Sequence, residues 1–332
     1  MTIYDIAKKA GVSASTVSRV INDKDGVNKK TREQIQKILE ECHYSPNEAA
    51  RGLVNQASKI IGILISDIRT THHTEGIYFM EREFTKLGYC CIIMNTGSDD
   101  ESKVRYIKIL NQRRVEAAVL IGSTFQSDLV KKAIAEYMFN IPVIIFNGYM
   151  DLPNIYGVVS DEQNGVLNCV KLLVDRGRKN LVFVIDRYTP SNKLKMLGFE
   201  MGVRQWCDRN NPIIYETKST LNDSYETTCA LMREHPEING IIYVVDLLAV
   251  GGIRALQDMK LIVPDDVAVI GVDNSIYSEI CSPSLTSLDN KLFDLSVAAA
   301  RNLIYVIQNK HVIKHMMIVS SIVERESTNI KT

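Results

Sequence analysis

Apolar and polar positions follow two different rhythms along the chain, and the change comes near residue 60. Before it, apolar residues recur three and four apart. Ile3, Ile6, Ala7 and Ala10 share one face of a first helix, Val17, Val20 and Ile21 one face of a second, and Ile35, Ile38 and Leu39 one face of a third. The punctuation agrees with these faces. Thr2 followed by Asp5 reads as a capping box, Gly11 as a C-terminal stop, Ser13 as the cap of the second helix, and Thr31 with Gln34 as a capping box for the third. Two short helices joined by a glycine-containing turn, with a third completing the core, predict a helix-turn-helix. Ser45-Pro46-Asn47-Glu48 signals a fourth helix, weakened by Gly52 and shorter than the ~12 residues a helix needs to stand alone.

Beyond residue 60 the pattern becomes short apolar runs of strand length, at 60–65, 89–94, 117–121, 142–146, 181–185, 240–245 and 267–272. Helical patterns intervene at 74–87, 101–111, 127–137, 161–176, 192–207, 221–234 and 247–259. Strands apolar on both faces and alternating with helices predict parallel sheets covered on both sides. Two longer loops, expected at 150–156 and 208–215, divide the pattern into two doubly wound lobes. Ligands of such sheets bind beyond the carboxyl ends of the strands. That rule points to 67–73, 96–99, Asn147, 186–195, Asp246 and Asp273. Gly251-Gly252 lacks the spacing of a phosphate loop and reads as a place of close helix packing.

Composition narrows the class. A chain of 332 residues, 45% apolar and 23% charged, has core enough for two or three domains, which excludes disordered, collagen-like and disulfide-scaffold readings. Seven cysteines, none in a CxxC spacing, suggest thiols in a reducing compartment. No apolar leader or membrane-length run is read, so a cytoplasmic protein without membrane contact is expected. Acids and bases balance at 39 each, yet residues 1–59 hold ten Lys and Arg against seven acids, an excess of +3 that suits an anionic partner. In a helix-turn-helix the second helix enters the DNA major groove. Here Ala14, Ser15 and Thr16 would face base edges, with Ser18, Arg19 and Asn22 further along, and Arg19 suits a guanine or a phosphate. Tyr4, Ser13, Thr31 and Arg32 carry hydroxyl or guanidinium groups near helix N-termini, where phosphates are favoured. In the fourth helix Asn47, Ala50 and Leu53 are the candidate contacts, Leu53 as a minor-groove wedge or, alternatively, as a core leucine beside a linker. Adjacent His72 and His73 have no Cys/His companions at a metal-ligand spacing, and neither a nucleophile elbow nor HExxH occurs. No metal, cofactor or enzymatic activity is therefore expected.

The stretch IYDIAKKAGVSASTVSRVIN, followed by TREQI and YSPNEAARGL, resembles the DNA-binding head and hinge helix of the lactose-repressor (LacI/GalR) family, and VPDDVAVIGVDN with SPSLTSL extends the resemblance through the body. The resemblance implies a small all-α helix-turn-helix head on two doubly wound α/β lobes like those of type I periplasmic binding proteins. The implied division is a head at 1–44, a hinge at 45–58 and an effector-binding and dimerisation body at 59–332. The lobes would be 59–159 with 290–318, and 160–289 with 319–332. Ala14 and Ser15 would set operator preference, Leu53 would be the minor-groove lever, and the working unit would be a homodimer on a pseudo-palindromic operator. A small molecule, a sugar or related metabolite, would bind between the lobes and control DNA affinity, with repression the expected outcome. Asp273 and Asn290 fall on polar ligand positions; Asn147 stands where relatives place an acid, and Lys195 where they place an arginine. Val245 replaces an asparagine and leaves Asp246 alone, while Asp67 and His72 lie in the first-strand loop. The catabolite-control branch offers an alternative in which a phosphorylated phosphocarrier protein is the controlling partner, with Arg301 the one residue that points that way.

Overall fold

The computed structural model describes residues 1–44, 58–207 and 212–329. The chain divides into two compact units, Met1–Lys59 and Ile60–Thr332.

The first unit holds α1 (Ile3–Ala10), α2 (Ala14–Ile21) and α3 (Lys29–Glu41). Thr2 and Asp5 close the capping box reciprocally: the Thr2 N–H donates to Asp5 at 2.7 Å and the Asp5 N–H to the Thr2 hydroxyl at 3.4 Å. Gly11 ends α1 with φ of 67°, a left-handed geometry that glycine adopts without a side-chain clash. The Ser13 hydroxyl accepts the Thr16 N–H at 3.2 Å and starts α2. The start of α3 differs from expectation: its cap is Asn28, whose side chain accepts from the Thr31 N–H at 2.8 Å, which places Thr31 inside the first turn. Asparagine is as good a cap as threonine and stands three residues earlier. Ile6, Ala7, Ala10, Val17, Val20 and Ile35 form the core that the three apolar stripes share.

The second unit is built on two sheets. One contains β1 (Ile60–Ile65), β2 (Cys90–Asn95), β3 (Ala117–Ile121), β4 (Val143–Phe146), β5 (Ile155–Ser160) and β11 (His315–Ile318), in the order β11-β5-β4-β3-β1-β2 and parallel throughout. The other contains β6 (Leu181–Ile185), β7 (Ile213–Glu216), β8 (Gly240–Tyr243), β9 (Ala268–Val272), β10 (Thr286–Asp289) and β12 (Ser321–Val323), in the order β12-β10-β9-β8-β6-β7, with only the β12 pairing antiparallel. Around the first sheet lie α4 (Thr71–Lys86), α5 (Asp100–Gln112), α6 (Asp128–Tyr137) and α12 (Leu292–Ile307); around the second lie α7 (Glu162–Asp175), α8 (Pro190–Trp206), α9 (Leu221–Glu234), α10 (Asp246–Asp258) and the short α11 (Ile276–Ile280).

Two segments expected as loops contain strands: Ile155 and Tyr156 open β5, and Ile213 to Tyr215 lie in β7. β5 does carry a mostly buried apolar run, 155–159, which begins inside the expected loop, whereas β7 is half-buried and its three apolar residues are too few to read as a strand. His315 begins β11, the edge strand of the first sheet. The glycine pair does permit close packing. A Cβ on Gly251 would lie 2.4 Å from the Leu221 carbonyl oxygen at the start of α9, and one on Gly252 would lie 1.9 Å from the Tyr243 hydroxyl.

Ile35 is fully buried in a core of six residues. Ile35→Ala should cost about 3 kcal/mol, enough to melt so small a unit. Calorimetry should show the head's thermal transition lost and the body's unchanged.

Candidate functional site

The first unit presents a polar face built by the caps of α2. Ser13 gathers the hydroxyls of Ser15 at 2.8 Å and Thr16 at 2.9 Å. Ala14, Thr16 and Ser18 are half-buried; Ser13, Ser15, Arg19 and Asn22 are exposed, as is Tyr4 on α1. The Arg19 guanidinium has no hydrogen bond or ion pair among the described residues, so this cation at the C-terminal turn of α2 is available to an anion. Arg32 is not. One of its nitrogens donates to Asp23 at 2.6 Å and another to the Lys24 carbonyl at 2.7 Å, so its guanidinium braces the loop between α2 and α3. Asn22 turns back on Ser18 at 2.7 Å. Asn47, Ala50 and Leu53 lie outside the described residues.

In the second unit a cavity of about 600 Å³ opens between the two sheets at the carboxyl ends of their strands. Five of the seven residues expected there line it: Asp67 after β1, His72 in α4, Asn147 after β4, Lys195 in α8 and Asp273 after β9. Asp246 and Asn290 do not. Asn290 is 2% exposed and lies where the chain passes from the second sheet to the first; it donates to Asp273 at 3.1 Å and accepts from the Ser160 hydroxyl at 3.3 Å. Asp246 is 1% exposed, beneath the cavity wall, with both carboxylate oxygens bound to serines.

The carboxylate that sequence resemblance places at position 147 is supplied by Glu162 on the first turn of α7. Its Oε1 accepts from Asn147 at 3.2 Å and lies 3.3 Å from the Lys195 ammonium. Glu162 and Lys195 are each nearly inaccessible to solvent. Burial works against the charge on Lys195, but Glu162 and then Asp273 outweigh it and hold the lysine above its ordinary value. Arg69 grips Asp67 with two nitrogens, at 2.9 and 2.7 Å. Those side-chain bonds, joined by the Arg69 N–H, pull Asp67 down to about 2. Arg187 pairs with Asp186 at 2.9 Å. Each of the three lining Lys and Arg residues thus faces a carboxylate. Asp273 meets the Asn290 amide at 3.1 Å and His72 Nδ1 at 3.7 Å, both through Oδ1, and its Oδ2 has no hydrogen-bond partner among the described residues. Four carboxylates against three Lys and Arg give the wall a formal charge of −1, histidines not counted.

Sequence reasoning did not single out Glu162, Arg69 or Arg187, and it named His73 only as half of the His72-His73 pair, in the marked segment 67–73 that also holds Arg69. Arg187 lies inside a strand-end segment that the sheet rule had marked, whereas Glu162 stands one residue beyond the α7 cap Asp161, where an acid ordinarily serves only the helix dipole. The His73 Nδ1 is shut off from solvent without a hydrogen-bond partner among the described residues. Burial, followed by the charges of His72 and Lys195, drives this ring down to about 3. Among the described residues no three metal-ligating side chains converge, and no helix is long and apolar enough to cross a membrane.

Comparison with known proteins gives two family matches, to bacterial regulatory proteins of the lacI family over residues 2–47 and to a periplasmic binding protein-like domain over residues 170–328. An HTH-type transcriptional regulator of Lachnoclostridium phytofermentans is 32% identical over 342 residues, covering 99% of this chain and 100% of its own. The ribose operon repressor of Halalkalibacterium halodurans is 30% identical, covering 93% of this chain and 91% of its own. In fold the chain is similar to the lac repressor dimer bound to operator and the anti-inducer ONPF, with a TM-score of 0.89 at 24% identity over 99% of both chains.

The state of His73 gives a pH prediction. An unfolded histidine protonates near 6.5 and this one near 3, so its contribution to stability is complete above 6.5 and is lost as the pH falls through that window. Urea unfolding of wild type and His73→Gln should diverge below pH 6.5, with wild type losing up to about 1.4 kcal/mol more per pH unit. Parallel curves contradict the neutral, buried ring.

Proposed function

The chain belongs to the LacI family of bacterial regulatory proteins, and from that premise we propose that it works as a homodimer on a pseudo-palindromic operator under the control of a neutral sugar held between its lobes. It is a helix-turn-helix transcriptional regulator, and repression is the outcome the reading favours. The single observation that carries the effector assignment is the charge arrangement of the cavity. Every lining Lys and Arg faces a carboxylate of its own, while Asp273 keeps an open acceptor oxygen. A carboxylate accepts strongly from a hydroxyl and repels a phosphate. Asn147 and the serines and threonines of the wall add neutral donors and acceptors. The name of the ribose operon repressor makes a pentose a natural first probe.

On the head, Arg19 is a cation without an ion pair among the described residues, and Ala14, Ser15 and Thr16 lie on the face that a major groove would meet. Asn47, Ala50 and Leu53 extend this reading into a hinge. The small side chains at 14 and 15 leave little direct base reading there, so DNA shape and deformability carry more of the preference.

One surface feature favours the alternative of a phosphorylated protein partner. Between α4 and α12 a shallow groove is lined by Lys86, Arg301 and Lys310 against the single acid Glu83, with exposed Leu87 and Tyr305 beside them. A phosphorylated partner would find both charge and apolar contact there. Glu83 already engages Lys86 at 2.5 Å and Arg301 at 3.3 Å, so the neutral-sugar reading is preferred.

Calorimetry of the full chain against neutral pentoses and hexoses and their phosphate esters should find a neutral sugar that binds and whose ester binds at least about tenfold more weakly. Asp273→Ala should abolish that binding. Tighter binding of the ester, or no binding by any neutral sugar, contradicts the assignment. Arg19→Ala should weaken operator binding by about 2 kcal/mol, roughly thirtyfold, without altering sugar affinity. Anisotropy with labelled operator measures this, and unchanged affinity removes Arg19 from the interface.

A further inference from the structure

We propose that Asp246 is a positioning residue that props the loop 273–275 from beneath and so delivers the Asp273 carboxylate to the cavity, an inference that rests on the reading of that cavity as the effector site. Asp273 has φ of 105° and Asn274 φ of 48°, two consecutive non-glycine residues in the left-handed half of conformational space. Such a conformation persists only where the surroundings over-determine it.

The surroundings do so chiefly through one carboxylate. Asp246 Oδ2 accepts the Ser275 N–H at 2.7 Å and the Ser275 hydroxyl at 2.8 Å. Asp246 Oδ1 accepts the Ser287 hydroxyl at 2.6 Å, and the Ser287 oxygen in turn accepts the Asn274 N–H at 2.9 Å. Two of the loop's three backbone donors thus end on Asp246, directly or through Ser287; the third, the Asp273 N–H, reaches the Leu288 carbonyl at 2.9 Å.

Among the described residues this carboxylate bonds only Ser275 and Ser287. It stands in the first turn of α10, but the cap is Val245 and there is no side-chain cap bond, so capping does not account for it. Neighbouring β9 makes room for it, since a Cβ on Gly271 would lie 2.2 Å from Asp246 Oδ1. Burial, then the charge of Asp273, pushes Asp246 up to about 7 against the three hydrogen bonds it accepts. A second brace reaches the loop from the β12 side, where Arg325 donates to Asn274 at 2.8 Å. An acid kept buried beside another acid, with one oxygen bonded to a strained loop and the other to the β10 serine that holds the same loop, is accounted for by the position of that loop.

Residue-resolved amide exchange on the full-length protein without any sugar tests the prop. In Asp246→Ala the amides of Asn274 and Ser275 should exchange at least about tenfold faster, while those of Gly240–Tyr243 in β8 keep wild-type rates. Asp246→Asn retains an acceptor for Ser275 and should rescue most of the protection. Ser287→Ala should accelerate Asn274 alone, and it carries the test if Asp246→Ala does not fold. Loop rates unchanged in these variants, or a rise spread equally over β8 and the loop, overturn the proposal. No effector enters this experiment, so its failure leaves the sugar assignment standing, and failure of the calorimetry leaves the prop standing.

Discussion

The chain passes between the two sheets of the body three times, and those passages join the two walls of the cleft. They lie after β5, after β10 and after β11, and they are bonded to one another. The Asp161 N–H donates to the Ile318 carbonyl at 2.9 Å, the Ser320 hydroxyl to the Asp161 carbonyl at 2.9 Å, and the Ser160 hydroxyl to Asn290 at 3.3 Å. Glu162 follows the first passage directly, and Asn290 ties the second to Asp273. A ligand that touches Asp67 on one lobe and Asp273 on the other therefore acts across a pivot whose strands are already joined. Coupling to a second site requires only that the ligand favour one angle of the lobes over another.

Charge in the cleft is arranged at a cost. A buried ion pair such as Lys195 with Glu162 adds little net stability, because desolvating both partners consumes most of their attraction. Its value is that it fixes a wall of known polarity. With Arg69 held by Asp67 and Arg187 by Asp186, the lining Lys and Arg are neutralised in place and the acceptor left over is Asp273. His73 adds a neutral ring with an unsatisfied nitrogen in the same wall. The proposed preference for a neutral, hydroxyl-rich ligand rests on this balance more than on any single contact.

Much of this architecture is written in the apolar pattern. The head helices announce themselves through Thr2, Gly11 and Ser13, and strands buried on both faces, such as β1, β3 and β6, show as unbroken apolar runs. What the pattern hides is equally physical. Fully buried residues of β10 include Thr286 and Ser287, whose hydroxyls are satisfied by Arg325, Thr328 and Asp246, so a core strand reads as polar. At the edge of its sheet β11 alternates exposed and half-buried residues, and its short run Met316-Met317-Ile318 carries no mark of a buried strand. In the cleft, strand-end residues such as Asp67, Asn147 and Asp273 follow from topology alone. Glu162 does not, because a carboxylate at a helix start carries no mark of the lysine it meets from another helix. Asp246 and Asn290 show the converse, polar residues beside the cavity in sequence that serve the scaffold behind it.

The most direct test of the whole account is selection from a randomised duplex library by the full-length protein at low ionic strength. The account predicts enrichment of an inverted repeat, bound by two copies of the chain and weakened steeply by added salt. Recovery of sequences no different from the starting library, with and without sugars, contradicts it.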